Sequence, residues 1–322
     1  MNYFFFLIRK FLDSYRDTKK VVNFFELYKW NDNLIYIKIF AIKFFYSFSK
    51  LRNYKKIKLS KKNISYFEFL SEKKFITNEI LNQIDMQGYS KIYNLNQDMV
   101  LKFKDFILNS NKHDKPKNSN IAIETICKNL NENYDQYFLR LQSLKISRIT
   151  GAVDLNSENI IRSFLLSEPI MDIVKNYLDS NNISVSASYF ISIPSSDISE
   201  KDKIHNAQYF HWDNDFTKFC KLYIYLSNVD NDSGPHIYVE GTHKKKLFKH
   251  SLHRSYSDSD VRNSYNKIKT FVGNQGSLFF VDSYGLHKGD TPRSNHRIML
   301  NVHYGKGKIL YSKYDKFIKI IN

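Results

Sequence analysis

Three residues have the types and spacing of a metal site: His211 and Asp213, two apart in "FHWDND", and His287 in "DSYGLHKGDTP". Residues two apart on an extended strand project to the same side. His211 and Asp213 therefore face one point while Trp212 faces the other way. A His-x-Asp pair alone is a weak signal, because short motifs of this kind recur on exposed turns. His287 adds weight, since it follows the strand-like run "SLFFVD". Two imidazoles and one carboxylate on one face leave three coordination positions open. That is the arrangement of non-haem Fe(II) oxygenases, where the metal must hold a chelating cosubstrate and O2 together.

Ten residues after His287 comes Arg297, opening "RIMLNVHYG". A turn of about ten residues joining two paired strands is expected to set Arg297 beside the metal-bearing end of its neighbour. On that strand Arg297, Met299 and Asn301 share one face, and Ile298, Leu300 and Val302 the other. The planar guanidinium fork suits bidentate binding of a carboxylate. Gln208, three residues before His211, is a further candidate for the same pocket.

These residues need strands to carry them. From residue 183 the apolar period is two: "ISVSASYFISI" puts Ile183, Val185, Ala187, Tyr189, Ile191 and Ile193 on one face. "CKLYIYLSNV" alternates again, with Leu222, Ile224 and Leu226 against Lys221, Tyr223 and Tyr225. "HIYVE", "GSLFFVD" and "RIMLNVHYG" read as further strands, and "DNDSGP", "GNQG" and "KGDTPRSN" as turns between them. Before them, "SENIIRSFLLSEPIMDIVKNYLDSNN" has the three-and-four spacing of helices, with a break at Ser167 and Pro169. Many short strands after helices indicate an α+β chain with a mainly β core, a jelly roll or barrel carrying flanking helices.

The ordered set "AQYFHWDND", "KLYIYLSNVDNDSGPHIYVEGTHK" and "GNQGSLFFVDSYGLHKGDTPRSNHR" resembles the phytanoyl-CoA dioxygenase (PhyH) family of Fe(II)- and 2-oxoglutarate-dependent oxygenases. The resemblance runs from about Glu158 to Tyr304. It implies a double-stranded β-helix, a cupin-like jelly-roll variant. It also implies His211, Asp213 and His287 as iron ligands and Arg297 on the distal carboxylate of 2-oxoglutarate, with O2 as the other cosubstrate. Tyr223 falls where the family places an aromatic residue near the cosubstrate. Gly289 falls where some members carry a serine that also contacts 2-oxoglutarate, so that second contact is unassigned. His236 and His243 read as scaffold or pocket-rim residues. Related halogenases have a small residue at the position of Asp213. With a carboxylate present, hydroxylation of a small molecule (a metabolite, lipid or glycan precursor) is the expected outcome. The rival reading is a non-oxygenase cupin-type metal-binding protein or isomerase, neither of which needs an arginine ten residues after the distal histidine.

Three segments follow: a basic, aromatic-rich helical region over 1–62, a mixed linking segment over 63–120 with the polar loop "NSNKHDKPKNSN", and the oxygenase domain over 121–322. The chain carries +17, and residues 1–62 hold 15 Lys+Arg against 4 Asp+Glu, a local +11. The basic character therefore belongs to the N-terminal part and argues for no nucleic-acid partner at the site. A weak contact of residues 1–62 with an anionic membrane surface is the partner that this charge and its apolar stretches fit. "LIYIKIFAIKFFYSF" (34–48) falls short of the roughly 20 residues of a membrane span. Cys127 and Cys220 are too few for a disulfide framework. A cytoplasmic protein is expected, with residues 1–62 either docking on the catalytic domain as a helical cap or touching an anionic membrane surface.

Overall fold

The computed structural model describes residues 56–57, 77–109, 113–114, 122–129, 131–195, 198–213, 218–252, 255–306 and 318–320. In chain order the strands are β1 (Lys56–Ile57), β2 (Tyr93–Asn94), β3 (His113–Asp114), β4 (Arg148–Val153), β5 (Ile183–Ser192), β6 (Phe210–His211) and β7 (Phe219–Tyr225). They continue as β8 (His236–Val239), β9 (Ser255–Tyr256), β10 (Ile268–Phe271), β11 (Ser277–Val281), β12 (His287–Gly289), β13 (Arg297–Lys306) and β14 (Ile318–Ile320). The larger sheet runs β1-β14-β5-β13-β7-β11-β2, with β4 on β5 and β3 on β4; the smaller runs β10-β8-β12-β6-β9. Along the chain β5, β7, β11 and β13 lie in the larger sheet, while β6, β8 and β12 lie in the smaller. This alternation winds the chain between two facing antiparallel sheets, which is the double-stranded β-helix.

The period-two pattern sorts side chains into layers. Ile183, Val185, Ala187, Tyr189 and Ile191 of β5, Leu222 and Ile224 of β7, and Ile298, Leu300 and Val302 of β13 pack on one side of the larger sheet. They meet apolar faces of the helices Thr77–Gln87, Gln97–Leu108, Tyr134–Ser143, Ile160–Leu165 and Glu168–Leu178. Each fully buried Ile or Leu in that layer contributes about 1.5–3 kcal/mol. The alternate residues Tyr223, Tyr225, Phe279, Val281 and Met299 face inward and cluster with Tyr238 and Phe271 of the smaller sheet. Outside the smaller sheet a third cluster holds Phe210, Trp212, Ile237, Val239, Tyr256 and Leu286. Trp212 thus points away from His211, as alternation requires.

The helix boundaries follow local chemistry. Asn133 caps Tyr134–Ser143 in a reciprocal box with Gln136. Ser167 is the N-cap residue of Glu168–Leu178, with Pro169 in the first turn, where its missing N–H is not needed. The break between the two short helices is the one that the sequence indicates.

Four strands and one connection differ from the sequence reading. The polar loop at 109–120 contains β3, which pairs with Thr150 and Gly151 of β4. The exposed edge of β4 offers unpaired backbone groups that a polar extended segment can meet. β4 and β10 are strands that the sequence reading does not separate out. Within the region 1–62 read as helical, Lys56–Ile57 forms a strand parallel to β14. Finally, Arg297 does not follow a hairpin: β12 pairs with β6 and β8, and β13 with β5 and β7. The seven-residue connection, 290–296, crosses from one sheet to the other. The remainder of the 1–62 region, with its expected helices and membrane contact, lies outside the described residues. Among the described residues no helix is long and apolar enough to cross a membrane.

Candidate metal centre

β6 and β12 are neighbours in the smaller sheet, and His211 stands directly opposite His287. Their rings lie 4.3 Å apart between centroids. Asp213 falls just beyond β6, held by its backbone N–H on the Ser283 carbonyl at 2.9 Å. The ligand atoms of His211, Asp213 and His287 all lie within 4.8 Å of one another.

Both histidines are oriented the same way. The Nδ1 of His211 meets the carbonyl of Tyr209 at 2.9 Å, and the Nδ1 of His287 meets that of Gly285 at 2.9 Å. Donation from Nδ1 to a carbonyl leaves the Nε2 lone pair free to bind a cation. Burial and the neighbouring His211 pull His287 down to about 3, against the opposing pull of Asp213. At neutral pH its Nε2, 3.5 Å from Asp213 Oδ2, is a neutral imidazole beside a carboxylate rather than an ion pair. Burial would raise the Asp213 carboxyl. The cation that outweighs burial is Lys221, whose Nζ donates to Oδ2 at 2.6 Å and holds the carboxyl well below its usual range.

The turn carrying Gly285 and His287 is pinned by Asp282. Its carboxylate accepts from the Tyr177 hydroxyl at 2.6 Å and from the Tyr284 N–H at 2.9 Å, while its carbonyl accepts from Tyr238 at 2.8 Å. A Cβ on Gly285 would collide with the Tyr238 hydroxyl.

Arg297 opens β13 across from this group and is 5% exposed. Its Nη1 donates to the Gly234 carbonyl and its Nη2 to Ser192 Oγ at 3.3 Å, but its buried Nε has no partner. Among the described residues it has no carboxylate partner. Burial lowers its pKa, the response of a cation taken out of water without an anion. A buried guanidinium with an orphaned N–H fits an anionic ligand, and the histidine–carboxylate group fits a divalent cation.

Tyr223 is buried on the inner face, its ring 4.7 Å from His236 and 5.7 Å from Phe279. Gln208 is buried with its Oε1 unpartnered. Arg293 is turned to Asp232, and Lys288 to Asp258 and Asp290, so neither duplicates Arg297. His243 is scaffold: its Nε2 sits 2.9 Å from the Asp85 carbonyl on the helix Thr77–Gln87. His236 is not at a rim. It is 2% exposed, and its ring lies 5.5 Å from that of His287. Sequence reasoning gave Lys221 no role and read His236 only as a scaffold or pocket-rim residue. The available signal for Lys221 was its place on the row of Tyr223 and Tyr225, where a charged side chain faces inward.

The family profile described as phytanoyl-CoA dioxygenase (PhyH) matches residues 124–299, more than half of the chain. Among solved structures, HygX from Streptomyces hygroscopicus, with nickel and 2-oxoglutarate bound, is similar at a TM-score of 0.50 and 12% identity, covering 72% of this chain and 87% of that one. The non-heme alpha ketoglutarate dependent carbocyclase SnoK from nogalamycin biosynthesis gives 0.49 and 14%, over 76% and 97%. The alpha ketoglutarate dependent epimerase SnoN, from the same biosynthesis, gives 0.46 and 10%, over 71% and 80%. At 12% identity the HygX likeness speaks for the fold alone. No curated protein sequence matches the chain.

Proposed function

Because this chain belongs to the phytanoyl-CoA dioxygenase family, whose members use Fe(II), 2-oxoglutarate and O2, we propose that it hydroxylates a small molecule, with His211, Asp213 and His287 as the iron ligands and Arg297 as the anchor of 2-oxoglutarate. Family membership carries the reaction class, a 2-oxoglutarate-dependent oxygenase. The hydroxylation and the residue roles are inferred from the site. Bound iron supplies the oxygen chemistry, coupling decarboxylation of 2-oxoglutarate to succinate and CO2 with oxygen insertion into a C–H bond.

The chain's own groups do the rest. Tyr209 and Gly285 carbonyls hold both imidazoles in the tautomer that presents Nε2. Lys221 keeps Asp213 ionised, so a hard anionic ligand is ready before the metal arrives. A carboxylate in that position occupies the place that an external halide would need, which favours hydroxylation. Arg297 offers its unpaired Nε–H to the far carboxylate of 2-oxoglutarate. Tyr223, Phe279 and the other inward aromatic residues keep water from the cosubstrate and strengthen that bond. Tyr223 and Gln208 are proposed to line the cosubstrate pocket.

The observation that carries this reading is Arg297: a buried guanidinium with an unpaired N–H, across the barrel from the histidine–carboxylate group. Anaerobic protein given Fe(II) and 2-oxoglutarate should develop a weak visible charge-transfer absorption. His211→Ala and Asp213→Ala should each abolish it. Wild-type iron binding in both variants would sink the ligand assignment. Aerobic turnover should release succinate, and Arg297→Ala should raise the 2-oxoglutarate requirement at least tenfold while iron binding survives.

A further inference from the structure

His236 is a buried histidine that the site as described leaves without work. On β8 it stands directly opposite Gly289 of β12, just as Tyr238 stands opposite His287. Directly paired residues project to the same face of a sheet, so the imidazole shares the inner face with His287. Its ring lies 5.5 Å from that of His287 and 4.7 Å from that of Tyr223. The guanidinium of Arg297 lies over Gly289, where a Cβ would come within 2.9 Å of Nη2. A molecule reaching from the metal ligands to Arg297 therefore passes alongside His236.

The imidazole is equipped for such a neighbour. Its Nε2 is buried and has no hydrogen-bond partner. By contrast, buried His250 engages both ring nitrogens, with Tyr265 at 3.0 Å and Asp260 at 2.7 Å. Buried polar atoms are paired as a rule, and an exception points to a missing partner. Resting on the proposed reading of the site, we infer that His236 donates its Nε2–H to the distal carboxylate of 2-oxoglutarate, beside Arg297. The distal end is indicated because the cross-strand partner of His236 is Gly289, under Arg297, and not His287. With no side chain at 289 to offer a hydroxyl, the second contact to that carboxylate comes from the adjacent strand.

The test measures binding to Mn(II)-loaded protein under anaerobic conditions by calorimetry. Two ligands are compared: 2-oxoglutarate, and pyruvate, which keeps the chelating end but lacks the distal carboxylate. His236→Leu should weaken 2-oxoglutarate about tenfold to a hundredfold and leave Mn(II) and pyruvate binding unchanged. His236→Gln, which keeps a donor, should stay within a few-fold of wild type. Wild-type affinity in His236→Leu overturns the inference, and so does an equal loss for pyruvate. If the Leu variant fails to fold, Zn(II)-loaded wild type labelled with 15N-histidine decides. Adding 2-oxoglutarate must move a ring-nitrogen resonance that is missing from His236→Gln, and no movement overturns the inference. A wild-type protein that takes up no 2-oxoglutarate brings down the reading of the site itself. Uptake unaffected by His236→Leu brings down the inference alone.

Discussion

Lys221 and Asp213 form a close pair with side chains only 12% and 10% exposed. Removing one member of such a pair leaves a buried charge uncompensated, a loss of about 3–5 kcal/mol. Lys221→Met should therefore destabilise the metal-free protein by about that amount. A bound divalent ion would replace the missing positive charge, so the metal-loaded variant should lose much less. The gap in melting temperature between the two forms should widen, and an equal loss in both would contradict this. That His211, Asp213 and His287 come together was legible in the sequence, because a His-x-Asp pair, a G-P…G-T-H stretch, a distal histidine and a following arginine in that order are specific. Lys221 was not. Lysine is abundant throughout this chain, and nothing local marks one that turns inward. The depth of His236, read as scaffold or pocket rim, was not legible, because its "GPH" setting shows only a turn and its depth depends on β12 lying beside β8.

Elements place these residues through a few contacts, and the turn between β11 and β12 is the most exacting. Gly285 both supplies the carbonyl that orients His287 and lies against the Tyr238 hydroxyl. Gly285→Ala should displace the turn and lower metal affinity at least tenfold, given the geometric demands of coordination. Equilibrium dialysis with Mn(II) would check this, and wild-type affinity would refute it. Tyr177 acts on the same turn from the helix Glu168–Leu178, through its 2.6 Å bond to Asp282. Tyr177→Phe should cost about 1.5–3 kcal/mol in urea unfolding, the usual range for a hydrogen bond to a charged group. A loss under half a kcal/mol would show that the bond is replaceable by water. The strands of these elements were readable wherever one face is apolar and the other not, as in β5, β7 and β13. β10 was not, because its four residues alternate too briefly. The passage from β12 to β13 was misread as a hairpin because sheet membership is decided by distant partners, here β5 and β7.

For the whole molecule, the buried histidines set a direction for acid sensitivity. Burial, with Lys221 adding to it, brings His303 down to about 3, and burial with nearby cations holds His236 well below its ordinary value. In the unfolded chain each would titrate near 6.5. Between those values the unfolded state binds more protons, so stability is complete above about 6.5 and falls as pH is lowered. Each such histidine contributes a slope of about 1.4 kcal/mol per pH unit. His303→Phe should flatten the pH dependence of urea stability between pH 6 and 4.5 by about one proton. An unchanged slope would show that His303 already protonates in the folded state.

The crossing from β12 to β13 has a mechanical corollary. The proposed metal ligands ride on one wall of the barrel and Arg297 on the other. A cosubstrate chelated at one end and gripped at the other, as proposed, would act as a removable rivet between two walls joined otherwise by loops and side-chain packing. With Mn(II) present, 2-oxoglutarate should slow amide exchange in β8 and β12 together with the opening residues of β13. Pyruvate at equal occupancy should quiet only the metal-bearing wall. If that holds, departure of succinate, which keeps the distal carboxylate but has lost the second chelating group, is also the moment at which the barrel regains its freedom to open and take the next substrate.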